Sequence, residues 1–139
     1  MMRVAAVSAW IPALGFGLPC IYAIWFFADR GYVWTFIGFP TYGSGPFTYI
    51  GIMTTVPLLV AFLLLCVAEV VTGWLLWTRR RAGLVLALVL LPFEFSFWLG
   101  FALPIGPPFG VARTALVLVG WFNPGTHRGS TASRAAARP

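Results

Sequence analysis

The chain contains no lysine; all nine of its basic residues are arginine, set against three acids. Histidine occurs once, cysteine twice, and charged residues make up only 9% of the whole. These scarcities exclude several classes of protein. A soluble domain is about half apolar and about a quarter charged. With 60% hydrophobic residues and a mean hydropathy of +0.92, this chain does not fit a water-soluble fold. Cys20 and Cys66 lie apart inside apolar runs, with no C-x-x-C pair and no His/Cys cluster. Neither a zinc site nor a redox pair is expected, and both thiols read as small buried hydrophobes. His127 falls in a polar C-terminal stretch and reads as a tail residue, not a ligand or base. There is no glycine-rich phosphate loop, nucleophile elbow or metal-ligand spacing, so no cofactor is expected and no catalytic residue is assigned. The formal charge of +6 would raise nucleic acid as a partner on a soluble chain. Here most of the arginines flank apolar spans, where they meet lipid headgroups and set topology. The expected partners are membrane lipids and a homo-oligomer or larger membrane complex. The absence of Lys beside abundant Ala, Gly and Pro fits a GC-rich bacterial genome, and so a bacterial inner membrane.

What is present is organised around two apolar spans, 51–78 and 82–103, joined by Arg79-Arg80-Arg81. Each is long enough to cross a hydrocarbon core of ~30 Å. Three adjacent arginines stay at one surface, so the spans form an antiparallel hairpin. Before them, 4–28 is too long for a signal-peptide core, and bulky Phe26 breaks the cleavage rule; it reads as an uncleaved first span. Ala5, Ala9, Ala13 and Gly17 recur every four residues on it, a small-residue stripe for close helix packing, within or between protomers. A shorter apolar run, 108–122, follows the Pro-rich turn at 104–109 and reads as a fourth helix, with Arg113 near its start. The expected fold is an all-α membrane protein, a four-helix transmembrane bundle over 1–122, with a disordered basic cytoplasmic tail over 123–139.

The connection 29–50 is rich in aromatics. Tyr32, Trp34 and Phe36 alternate as in a strand, 47–52 is read as the return strand, and the Gly/Pro/Ser stretch between them as the turn. The expectation is a hairpin or irregular cap at the membrane interface. With both termini and the arginine triplet in the cytoplasm, seven arginines lie inside and only Arg30 and Arg113 on the other side, a positive-inside pattern.

Two acids fall within spans, where an acid is costly and rarely idle. Glu69 lies 10 residues before Arg79 and Glu94 13 after Arg81, so their depths differ by about 4 to 5 Å. Arg113, coming from the opposite side, starts about 7 to 8 Å above Glu94. Glu69, Glu94 and Arg113 are therefore the candidate ligand-binding or ion-pair group. Phe97 and Trp98 lie close to Glu94 along the chain, and a carboxylate among aromatic faces suits an organic cation. The physics resembles that of small four-helix multidrug exporters, but their essential acid lies in the first helix and this first span has none. The run Pro92-Phe93-Glu94 is similar to the P-x-E-E run of small membrane carotenoid cyclases, with Phe95 where the second acid would be. No family is claimed. The first reading is an accessory or assembly subunit. The second is a proton-linked carrier or binding protein for a hydrophobic or cationic molecule, and the third a membrane enzyme acting on a lipid or isoprenoid.

Overall fold

The structure is a computed structural model and describes residues 2–43 and 45–122. The basic tail expected over 123–139, His127 included, lies outside the described residues. The fold is mostly helical. Helix α1 is Met2–Arg30; β1 (Thr35–Phe36) and β2 (Phe39–Pro40) form a two-stranded antiparallel sheet; α2 is the single turn Pro46–Tyr49. Three more long helices follow: α3 (Val56–Trp77), α4 (Arg81–Gly100) and α5 (Gly106–Phe122). Of these, α1, α3 and α4 are long and apolar enough to cross a membrane. Helix α5, with 17 residues, is about 25 Å long and falls short of a bilayer core. The four long helices pack in a closed arrangement, α1 and α4 each lying against both α3 and α5.

Local chemistry sets the boundaries. Thr55 caps α3 by accepting from the Leu58 N–H, and Pro57 sits in the first turn, where its missing N–H costs nothing. Pro107 and Pro108 use the same freedom at the start of α5. At the end of α3 the Arg79 and Arg80 N–H groups bond back to the Leu76 and Leu75 carbonyls, and Arg79 takes a left-handed φ of 56°. The end of α4 repeats this through Ala102 and Leu103, with Ala102 at φ 53°. Both are Schellman closures built without the usual glycine.

The connection after α1 differs from its expected form. Its hairpin turns at Ile37-Gly38, both at positive φ, which pairs Phe36 directly with Phe39. The stretch read as the return strand instead begins with the α2 turn, because Pro46 fixes a helical φ at its first position. Nor does the loop merely lie on the end of the helices. Tyr42 is buried, with its ring against Phe62 and Phe101, and its hydroxyl donates to the Phe16 carbonyl of α1 at 2.7 Å. Phe16 is 14 residues from the end of α1, about 21 Å along the axis, so Tyr42 plugs the gap between helices.

Two apolar clusters fill the interior. The loop-side cluster is aromatic and includes Tyr42, Phe62, Trp98 and Phe101 with Cys20 and Cys66. The arginine-triplet side is aliphatic and small: Ala5, Ala6, Leu76, Leu84, Ala87 and Val117.

Burial raises the Tyr42 phenol well above its ordinary value of 10.0. A group raised in the folded state contributes fully below its unfolded value and loses that contribution as pH rises beyond it. Tyr42→Phe should therefore cost about 1 kcal/mol at neutral pH, the worth of one hydrogen bond. It should also flatten the loss of stability that the parent protein shows as pH rises past 10, followed by thermal unfolding in detergent.

Candidate functional site

Between the two apolar clusters lies the one ionic layer among the described buried residues. Glu69 stands on the inner face of α3, where Leu65, Cys66, Thr72 and Gly73 are also buried. Gly73 leaves room for Trp10 of α1, whose indole N–H donates to the Val70 carbonyl at 3.1 Å. Glu94 projects from α4 and Arg113 from α5, and the three side chains are 2%, 0% and 1% exposed.

The structure brings this group together. The Arg113 guanidinium donates through Nη1 to Glu69 Oε1 at 3.3 Å and through Nη2 to Glu94 Oε2. One arginine thus joins acids on two neighbouring helices, using the forked donor set that lysine lacks. Two polar atoms of the group have no hydrogen-bond partner among the described residues: Glu94 Oε1 and Arg113 Nε. With all three groups ionised, two carboxylates against one guanidinium leave a single negative charge, which a shared proton or a small cation would balance.

Of the two aromatic residues expected beside Glu94, one packs with other rings and the other lies over the ionic layer. Phe97 packs on Phe62, Phe47 and Phe101. The Trp98 ring lies against Phe95 and over Gly106 and Gly110 of α5, where any larger side chain would collide with it. Trp98 and Gly110 stand one turn to the loop side of Glu94 and Arg113, so they roof the ionic layer and let α5 approach α4 closely. The cation–π contact found among the described residues is a different one, Arg3 over Trp77 at 5.1 Å.

Ala5, Ala9, Ala13 and Gly17 are all buried inside the chain. A side-chain carbon at position 17 would stand 3.2 Å from Cys66 Cβ on α3. The stripe is thus taken up by intramolecular packing. Cys20 and Cys66 are free and buried, and the Cys20 thiol donates to the Leu59 carbonyl at 3.5 Å. Among the described residues no three His, Cys, Asp or Glu side chains converge on a metal position. A pocket of about 280 Å³ is lined by Arg81, Leu84, Gly120 and Trp121, at the arginine-triplet end and away from the acids.

Sequence reasoning missed four residues that shape the site. Gly106 and Gly110 have the same four-residue spacing as the α1 stripe and were open to the same rule. Trp10 and Tyr42 carry no local signal, since each acts through a contact with a distant helix.

No protein-family model, curated protein or solved structure matches this chain.

Removing one member of a buried ionic group strands its partner's charge, whereas replacing the whole group with apolar residues often costs little. Arg113→Met should destabilise the protein by about 3–5 kcal/mol. The triple replacement Glu69→Leu, Glu94→Leu, Arg113→Met should recover most of that loss. Unfolding of both variants in detergent, compared with the parent, measures the difference.

Proposed function

We propose that this chain is a multi-pass membrane protein of four crossings, with the Glu69–Arg113–Glu94 group as its internal clasp, acting as an accessory or assembly subunit. The observation that carries this reading is the commitment of both acids to Arg113 between two apolar clusters. Their charge goes into holding α3, α4 and α5 in one register. Several contacts support α5 as the fourth crossing. Its last turn shares a pocket with the first turn of α4, and Gly120 lies close to the Met2 side chain at the start of α1. It therefore runs the depth of its neighbours, and a locally thinner bilayer accommodates its length. Arginine placement supports cytoplasmic termini, with Arg3 and Arg79–Arg81 at one end and Arg30 at the other. Because the α1 stripe is buried in its own chain, an assembly would use other faces.

A second reading has one observation in its favour. The uncompensated charge, with Glu94 Oε1 lacking a partner among the described residues, is what a proton-linked carrier or binding protein for a hydrophobic or cationic molecule would use. Purified protein in nanodiscs separates the two. Under the clasp reading, adding tetraphenylphosphonium releases no protons, and Glu69→Gln and Glu94→Gln each lower the stability of the folded protein. Proton release on adding that cation, abolished in either variant, would replace the clasp reading with the carrier.

A further inference from the structure

The hairpin between α1 and α2 has an unusual tip. A two-residue turn with positive φ at both positions ordinarily takes Asn-Gly or Asp-Gly, which adopt that backbone readily and are at home in water. Here the first position is Ile37, a β-branched residue at φ 52°, a conformation such side chains rarely tolerate. Its side chain is 80% exposed, and those of Phe36 and Phe39 beside it are 55% and 75% exposed. A strained turn thus carries three large apolar groups that stay largely exposed.

The surrounding chain points the same way. From residue 31 to residue 68 there is not one Asp, Glu, Lys, Arg or His. A connection that faced water would carry charge; this one carries rings. Its base is folded back along α1. Tyr32 meets Phe26 edge-on at 5.2 Å, Trp34 meets Tyr22 edge-on at 5.0 Å, and Phe36 follows Trp34 at 5.7 Å. Phe26 and Tyr22 lie four and eight residues before Arg30, about 6 and 12 Å back from the end of the helix. Helix α1 is 29 residues long, about 43 Å, so around a core of ~30 Å it extends roughly 6 Å beyond each face. The exposed Asp29–Arg30 pair marks the watery end. Phe26 then stands at the boundary of the hydrocarbon and Tyr22 just within it, and the hairpin base is level with both.

We propose that the Thr35–Pro40 hairpin is an interfacial anchor, with Phe36, Ile37 and Phe39 seated in the headgroup–acyl boundary of the bilayer that α1 crosses. The occupant of this apolar surface is lipid. The depth is bounded on both sides. Irregular backbone with unpaired polar groups does not sit in the hydrocarbon itself, and aromatic side chains favour the interfacial layer. The placement also accounts for the unusual turn, since an Asn-Gly tip would hold the same backbone without the aliphatic wedge.

The inference rests on α1 and α3 being membrane spans, so its test must separate the two claims. Ile37→Cys, Phe39→Cys, Leu64→Cys and Arg80→Cys, each in the full chain with Cys20 and Cys66 replaced by alanine, are labelled with an environment-sensitive fluorophore. They are reconstituted in vesicles of equal parts phosphatidylcholine and phosphatidylglycerol. Quenching is measured with iodide on both sides, with nitroxide lipids labelled near the headgroup, and with nitroxide lipids labelled near the chain end. Leu64, exposed on α3, reports the span, and Arg80 reports water. Labels at 37 and 39 should lose most of their emission to the headgroup-proximal nitroxide and keep it against iodide, while the label at 64 responds to the chain-end nitroxide. If 64 behaves so but 37 and 39 are quenched by iodide as strongly as 80, the hairpin stands in water and the anchor is overturned. Strongest quenching of 37 and 39 by the chain-end nitroxide would also overturn it. Iodide quenching at 64 would instead sink the membrane reading beneath it.

Discussion

A guanidinium with two carboxylates, enclosed by side chains that offer no other charge, is the constraint on which the arrangement of helices turns. Each of these ions would cost several kcal/mol to bury alone. Arg113 reaches both acids only if α3, α4 and α5 hold one rotation and one height relative to each other. A slip of a residue on any of the three would swing a charge by about 100° and move it about 1.5 Å, enough to leave it facing lipid or hydrocarbon side chains. In water, apolar burial drives helices together but tolerates many registers. In lipid that drive between helices is largely absent, and a directional contact of this kind supplies the specificity that non-directional packing does not.

The layers on either side fit that role in different ways. Toward the arginine triplet the interior is aliphatic, with the small Ala5, Ala6 and Ala87 packed beside Leu76, Leu84 and Val117. Toward the loop it widens into rings, with Trp98 laid over Gly106 and Gly110 and Tyr42 inserted from the connecting segment. The wide end needs a plug, and the chain provides one from the segment that has just left α1. Its hydroxyl ends on a backbone carbonyl of the same helix, so the polar group carried inward by the plug is satisfied there.

Much of this was legible because a helical hairpin converts sequence distance into depth. Once Arg79–Arg81 is held at a surface, Glu69 and Glu94 follow at computable heights, and Arg113 is reached by counting in from the other face. Rotation about the helix axis was legible at Glu69, whose i±3 and i±4 neighbours are small or weakly polar. It was less so at Glu94, whose aromatic neighbours invited a cation-binding reading. Of those rings, Trp98 packs on α5, where Gly106 and Gly110 open a slot that the α4 sequence by itself does not announce, and Phe97 packs on Phe62 and Phe47. The hairpin was misplaced for a local reason. Ile37 has strong strand propensity and carries no turn signal, whereas the later Gly/Pro/Ser stretch has every such signal. The proposed membrane contact is the demand that would override propensity at that position.

The two ends of the molecule resolve the same problem by opposite chemistry. At the triplet end the α3–α4 turn gathers three cations, and Arg3 extends over Trp77 beside them. At the loop end a long stretch without a single ionisable group covers the helices. If that cover were a passive seal in water, the aromatic residues would be expected to turn inward, as Tyr42 and Phe47 do. Yet Tyr32, Phe36, Phe39 and Tyr49 are exposed, and Ile37 is held outward by a backbone conformation it does not favour. Outward-facing rings on an uncharged connection are stable only where the surroundings are themselves part apolar. With the proposed anchor in place, a charged end and an amphipathic end would together set the orientation and height of a chain whose long helices differ in length, α5 being too short to cross a bilayer core by itself.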